Sequence, residues 1–104
     1  MGVGMNNKRV LEYPVILKSE DRLIIIDIPD LNCTTQAENI GEVIQMASDC
    51  IELMLMDMYE DGEDYPKPSK IEMLGYDIEK EIPVLVKINL NKVERATHKT
   101  RGER

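Results

Sequence analysis

Apolar positions along the chain change their spacing twice, and each change marks an element. From Glu12 to Lys18, EYPVILK is a short apolar run with β-branched Val15 and Ile16. The polar SEDR follows, and LIIIDI resumes at Leu23 until Pro29 stops it. Two such runs around a polar turn predict a β-hairpin. Pro14, lacking an N–H, fits the first residues of a strand or an edge. LIIIDI starts with four apolar residues in a row, which predicts a central strand or one covered on both sides.

The spacing then becomes helical. Ile40, Val43, Ile44, Ala47, Ile51, Met54, Leu55 and Met58 recur at steps of three, four and one, tracing one face of an α-helix over 40–61. Asn39 before it and Glu42 three residues on form a capping-box pattern, and Gly62 can take the left-handed conformation that ends a helix. At 1.5 Å per residue this helix would be roughly 33 Å long, which is long for so small a chain. Met46, Cys50, Leu53 and Met56 widen its apolar arc beyond what one sheet face needs. That spare edge is the expected oligomer interface, with filling of a two-layer core as the plainer reading.

Beyond the helix, the prolines and charges of EDYPKPSK predict a loop, and IEMLGYDIEKE gives no clear pattern. IPVLVKINL predicts a strand over 82–90, with Val84, Val86 and Ile88 on one face and Leu85 on the other. The closing NKVERATHKTRGER predicts at most a frayed helical turn. The order is β-β-(short β)-α-β, an α+β fold with one long helix on a small mixed sheet. The helix separates the last strand from the others, so that pairing can be parallel, with a right-handed crossover. The expected organisation is a flexible segment at 1–10, one domain at 11–90 and a basic tail at 91–104.

Composition narrows the function. With 104 residues and 42% hydrophobic content, the chain supports one modest core, and a domain of this size often gains burial by self-association. Phe and Trp are absent and there are four Tyr, so no aromatic platform exists for stacking nucleic-acid bases. No apolar run reaches the roughly 18 residues of a membrane span, and the N-terminus lacks a signal-peptide core, so a cytoplasmic location is expected. Met1-Gly2 resembles a myristoylation start, but Asn6 stands where Ser or Thr is required. Residues 1–86 carry 18 acids against 7 bases, and residues 87–104 carry 2 against 6. An acidic body disfavours nucleic acid and steers towards basic partners.

Patterns for chemistry are sparse. Cys33, Cys50 and the single His98 are too few for a zinc site. A disulfide is not expected in a reducing compartment, and Cys50 reads as a small apolar side chain. Asp27, Asp30, Asp61, Glu63 and Asp64 invite a metal-dependent nuclease reading, yet YPVILK carries no acid to anchor a two-metal site, and solvated surface charge is the simpler account. His98 lies in the charged tail, where no packed shell would hold a catalytic triad. The glycines of MGVG lack the preceding strand that gives a phosphate-binding loop its meaning. No catalytic residue, metal or cofactor is expected. What remains is a binding protein.

Tyr13-Pro14, Pro29-Asp30-Leu31, Thr35-Gln36 before the helix, Glu60-Asp61-Gly62 at its end and Pro66-x-Pro68-Ser69 beyond it stand in an order that resembles the HicB-like antitoxins, over about residues 11 to 95. The resemblance implies a partial RNase H-like fold without nuclease activity. Its acidic body would bind and mask a small basic toxin of the HicA type, a ribonuclease with a fold like a double-stranded-RNA-binding domain. It also implies self-association, into dimers or tetramers. Two positions depart from the family pattern: Asn32 stands where members usually have Pro-Gly, and Ala37 where they have Gly. Many members continue into a DNA-binding module, whereas here a short basic tail follows the last strand. Lys92, Arg95, Lys99 and Arg101 could offer only weak, salt-dependent phosphate contacts, so DNA binding is not expected. Asp27, Asp30 and Leu31, at the end of the second strand, are the expected partner contacts. The rival readings are a stand-alone homo-oligomer with a structural or regulatory role, as an orphan or phage-related relative, and a divergent nuclease using Asp27 or Asp30.

Overall fold

A computed structural model describes residues 9–102; residues 1–8, expected to be flexible, lie outside the described residues. The elements are β1 (Val10–Glu20), β2 (Leu23–Ile28), β3 (Cys33–Ala37), α1 (Val43–Glu60), β4 (Glu81–Asn89) and α2 (Leu90–Gly102). The strands form one sheet in the order β3-β2-β1-β4. The predicted hairpin, short third strand, long helix and late strand are all present in that order.

The pairing of the last strand corrects the sequence reading. All three strand pairs are antiparallel, including β1 with β4, so the sheet is not mixed. A short connection from α1 would deliver β4 parallel to β1. Residues 61–80 instead give the chain enough length to run back along the molecule before β4 begins, which restores the antiparallel direction.

Alternation along the strands sets the core. Tyr13, Val15 and Leu17 of β1, Ile26 and Ile28 of β2, Ala37 of β3, and Val86 and Ile88 of β4 turn towards α1. Val43, Ala47, Ile51 and Leu55 of the helix close over them. The β1–β2 turn needs only Asp21 and Arg22, both with positive φ (50° and 73°), the signature of a type I′ hairpin. At the end of β2, Pro29–Leu31 make a single 3-10 turn, closed by Asn32 at φ 53° with its N–H on the Pro29 carbonyl. Asparagine tolerates the left-handed region, so the turn closes without glycine.

The helix ends differ in how well they follow expectation. Residues 40–42 are 3-10, and Asn39 makes no side-chain cap; the Glu42 carboxylate accepts from the Glu38 N–H at 3.1 Å, so the capping box does not form as drawn. At the other end Gly62 has φ 73°. Its N–H reaches the Tyr59 carbonyl and the Glu63 N–H reaches Met58, a Schellman stop. Pro14 lies on an interior strand, not an edge. β1 pairs with β2 only from Ile16 onward, so at Pro14 one flank carries no strand and the missing N–H costs little.

The largest correction concerns the ends of the chain. The expected frayed turn is the 13-residue helix α2, which packs against α1. Among its described side chains Leu90, Val93 and Thr97 are buried, and the Thr97 hydroxyl is satisfied by the Val93 carbonyl at 2.9 Å. At the other terminus Val10 already belongs to β1, and the Arg9 carbonyl accepts from the Leu90 N–H at 2.8 Å. Among the described residues, Arg9, Val10 and the start of α2 are therefore part of the fold. A buried aspartate would find no partner at position 93, so Val93→Asp should lower the unfolding free energy in urea by about 3 kcal/mol, whereas Arg95→Asp on the exposed face should change it by under about 0.5 kcal/mol. Equal, negligible effects would restore the tail reading.

Candidate protein-binding surface

Pro14 and Ile16 point away from α1 by strand alternation, yet both are buried. The connection after α1 runs over the same face, beside Glu12 and Leu85. Two of its fastenings reach the sheet side: the Ser69 N–H and hydroxyl donate to the Asp30 carboxylate at 2.8 and 2.5 Å, and the Tyr13 hydroxyl donates to the Pro66 carbonyl at 2.6 Å. Glu12, Ser69, Lys70, Ile71, Glu72 and Leu85 then line a shallow cleft where the connection crosses the sheet. Burial, and secondarily the Asp30 carboxylate, pushes the Tyr13 hydroxyl up to about 12.

This arrangement redistributes the three expected partner contacts. Leu31 is only 4% exposed and belongs to the core, so it borders no surface. Asp30 is the anchor for Ser69. Asp27 remains outward, with the Thr34 hydroxyl donating to it at 2.9 Å. Asp27 and Thr34, with Ile28, Pro29, Asn32 and Cys33, line an open cleft of about 260 Å³ beside the edge strand β3. A second acidic surface follows α1, where Glu60, Asp61, Glu63 and Asp64 are all exposed.

The candidate oligomer residues do not form one exposed stripe. Met46, Cys50 and Met56 are half-buried and packed on the core, and only Leu53 stands out, 63% exposed. Cys50 meets Cys33 across the seam between α1 and β3, their sulfurs 3.1 Å apart. The sequence reading missed this pair, because the separation of 17 residues carries no signal until strand and helix are laid together. On α2, Lys92 lies 3.6 Å from Glu52 and Arg95 is exposed. Lys99, Arg101 and His98 are on the same helix, and their side chains lie outside the described residues. Among the described residues, no three Asp, Glu, Cys or His side chains are placed to share a metal ion.

A second network was invisible in the sequence because its members are far apart. Arg9 makes a two-pronged bond to Glu94 at 2.8 and 3.1 Å, and the Tyr65 hydroxyl donates to the same carboxylate at 2.6 Å. It ties together the start of β1, the connection after α1, and α2. The Arg9 and Tyr65 bonds hold the Glu94 carboxyl below its ordinary value, and burial together with the Glu94 bond raises the Tyr65 hydroxyl.

A family model described as "HicB_like antitoxin of bacterial toxin-antitoxin system" matches residues 13–101. Similar solved structures include a toxin–antitoxin complex from Streptococcus pneumoniae, with TM-score 0.70 and 22% identity, covering 81% of this chain and 72% of that one. The antitoxin HicB of Burkholderia pseudomallei gives TM-score 0.69 and 22% identity, over 81% of this chain and 66% of its own. A HicA3–HicB3 toxin–antitoxin complex gives 0.62 and 16%, over 76% and 99%. No curated protein matches the chain. At these identities the structures establish a shared fold, and no helix among the described residues is long and apolar enough to cross a membrane.

Both fastenings are measurable. Asp30→Ala should cost about 1–3 kcal/mol in urea unfolding, and a double-mutant cycle with Ser69→Ala should return a coupling of about 0.5 kcal/mol or more. For Glu94, the unfolded chain holds the carboxyl proton more tightly than the folded one, so stability rises with pH through this window. The contribution is complete above the unfolded value of about 4.3 and is lost as pH falls through the lower folded value. Glu94→Gln should flatten that acid limb in melts taken between pH 5 and 2.

Proposed function

Because the chain belongs to the HicB-like antitoxin family of bacterial toxin–antitoxin systems, we propose that it neutralises a small basic ribonuclease toxin of the HicA type by covering it, with no bond made or broken on its own surface. Two of the similar structures are toxin–antitoxin complexes, one of HicA3 with HicB3. The observation that carries the reading is the excess of 18 acids over 7 bases through residue 86. A fold with that field accelerates encounter with a basic partner and repels RNA, the toxin's substrate.

Asp27, at the cleft beside the β3 edge, and the exposed acids Glu60, Asp61, Glu63 and Asp64 are the contacts we assign to the toxin. Asp30 serves that surface indirectly, by holding the connection in place. Self-association would use the apolar end of the molecule in preference to the α1 edge: Ile40 and Ile82 are 70% and 60% exposed there and share a cleft with Leu17 and Ile24. Both roles belong in the cytoplasm, where the toxin's RNA is.

The test is direct. The small basic protein encoded beside this one should bind it tightly at low salt, lose ribonuclease activity in the complex, and bind more weakly as salt rises. Asp27→Lys should slow association severalfold while changing dissociation less, as charge reversals at an interface rim do. Absence of binding at low salt overturns the proposal. So does RNA cleavage by this chain alone with Mg²⁺ that disappears in Asp27→Asn, which would establish the nuclease reading instead.

A further inference from the structure

β3 is the least supported strand of the sheet: five residues long, at the edge, paired only with β2. Cys33, opposite Ile28 in that ladder, faces the helix layer. Cys50 sits on α1 next to Ile51, which is fully buried, so its position is fixed by the best-packed helix of the fold. The two thiols are free and half-buried, and their sulfurs stand 3.1 Å apart. A disulfide requires closure to about 2.05 Å, a small movement for an edge strand.

We propose that Cys33 and Cys50 are an oxidation site that forms an intrachain disulfide with a low-molecular-weight disulfide of the glutathione class, fastening β3 to α1. The chemistry balances as two thiol–disulfide exchanges. In the first, the thiolate of one cysteine attacks the oxidant, forms a mixed disulfide and releases one molecule of reduced thiol. In the second, the other cysteine loses its proton and attacks the protein sulfur of that mixed disulfide, and the second reduced thiol leaves. Two protein S–H groups are oxidised and one oxidant disulfide is reduced to two thiols. Burial, with the hydrogen bond to Cys50 second, pushes the Cys33 thiol up to about 12.

The consequence lies where the two elements meet. The bond would close a 17-residue separation, and it would fix the rim of the Asp27 cleft, which Cys33 and Thr34 both line. None of this depends on the antitoxin reading, and no partner is needed to test it.

The full chain, first reduced, is incubated in glutathione redox buffer, then followed by thiol counting, non-reducing peptide mapping and thermal melts. The expected result is simultaneous loss of both thiols, a peptide joining Cys33 to Cys50 within a single chain, and a melting temperature raised by roughly 10 °C and restored by dithiothreitol. Cys33→Ser and Cys50→Ser should each show no rise. A persistent glutathione adduct without the internal link, disulfides between chains, or thiols that stay reduced would each overturn the assignment.

Discussion

One helix has to roof a sheet wider than itself. Four strands about 4.8 Å apart span roughly 15 Å between their outer axes, while a helix with its side chains is about 10–12 Å across. The stripe of Val43, Ala47, Ile51 and Leu55 seals the middle of that surface. Everything else in the fold answers to what this leaves uncovered. α2 supplies Leu90 and Val93 to the same core beside α1, and the connection 61–80 runs over the opposite face beside Glu12 and Leu85. With no Phe or Trp to extend the reach of each position, the chain solves the problem with extra elements instead of larger side chains.

That constraint explains what the sequence disclosed. α1 was legible because its stripe is long and its period unmistakable, and the hairpin was legible because two apolar runs flank a short polar turn. α2 was hidden by its charge: among its described side chains the buried ones are Leu90, Val93 and Thr97, too few to register against the many charged residues around them. The direction of β4 was hidden for a different reason. Hydrophobic alternation reports which face a residue takes, never which way a strand runs. The length of the preceding connection decided that, and its irregular pattern carried no visible direction.

The candidate surface was legible only in part. Asp27, Asp30 and Leu31 drew notice as a polar break after an apolar strand, and the break is real. Yet Asp27 stays on β2 and faces outward to Thr34, while the single 3-10 turn that follows sends Leu31 into the core and Asp30 onto Ser69. The role of Asp30 follows from a partner 39 residues away, which no local pattern encodes. The same holds for Glu94, whose partners Arg9 and Tyr65 come from the other end of the chain and from the connection.

The acidic body also sets two effects of salt against each other. Like charges held close in a compact fold repel, so the concentration of acids that would attract a basic partner is a liability to the free protein. Added salt screens that repulsion and steadies the isolated chain, while it weakens attraction to a basic surface. A partner that neutralises the acids would do what salt does for the free chain, and add its binding energy by mass action. The sign of the salt dependence therefore separates the two states: a fold that firms with salt alone and loosens with salt in complex is one whose charge was arranged for something outside it.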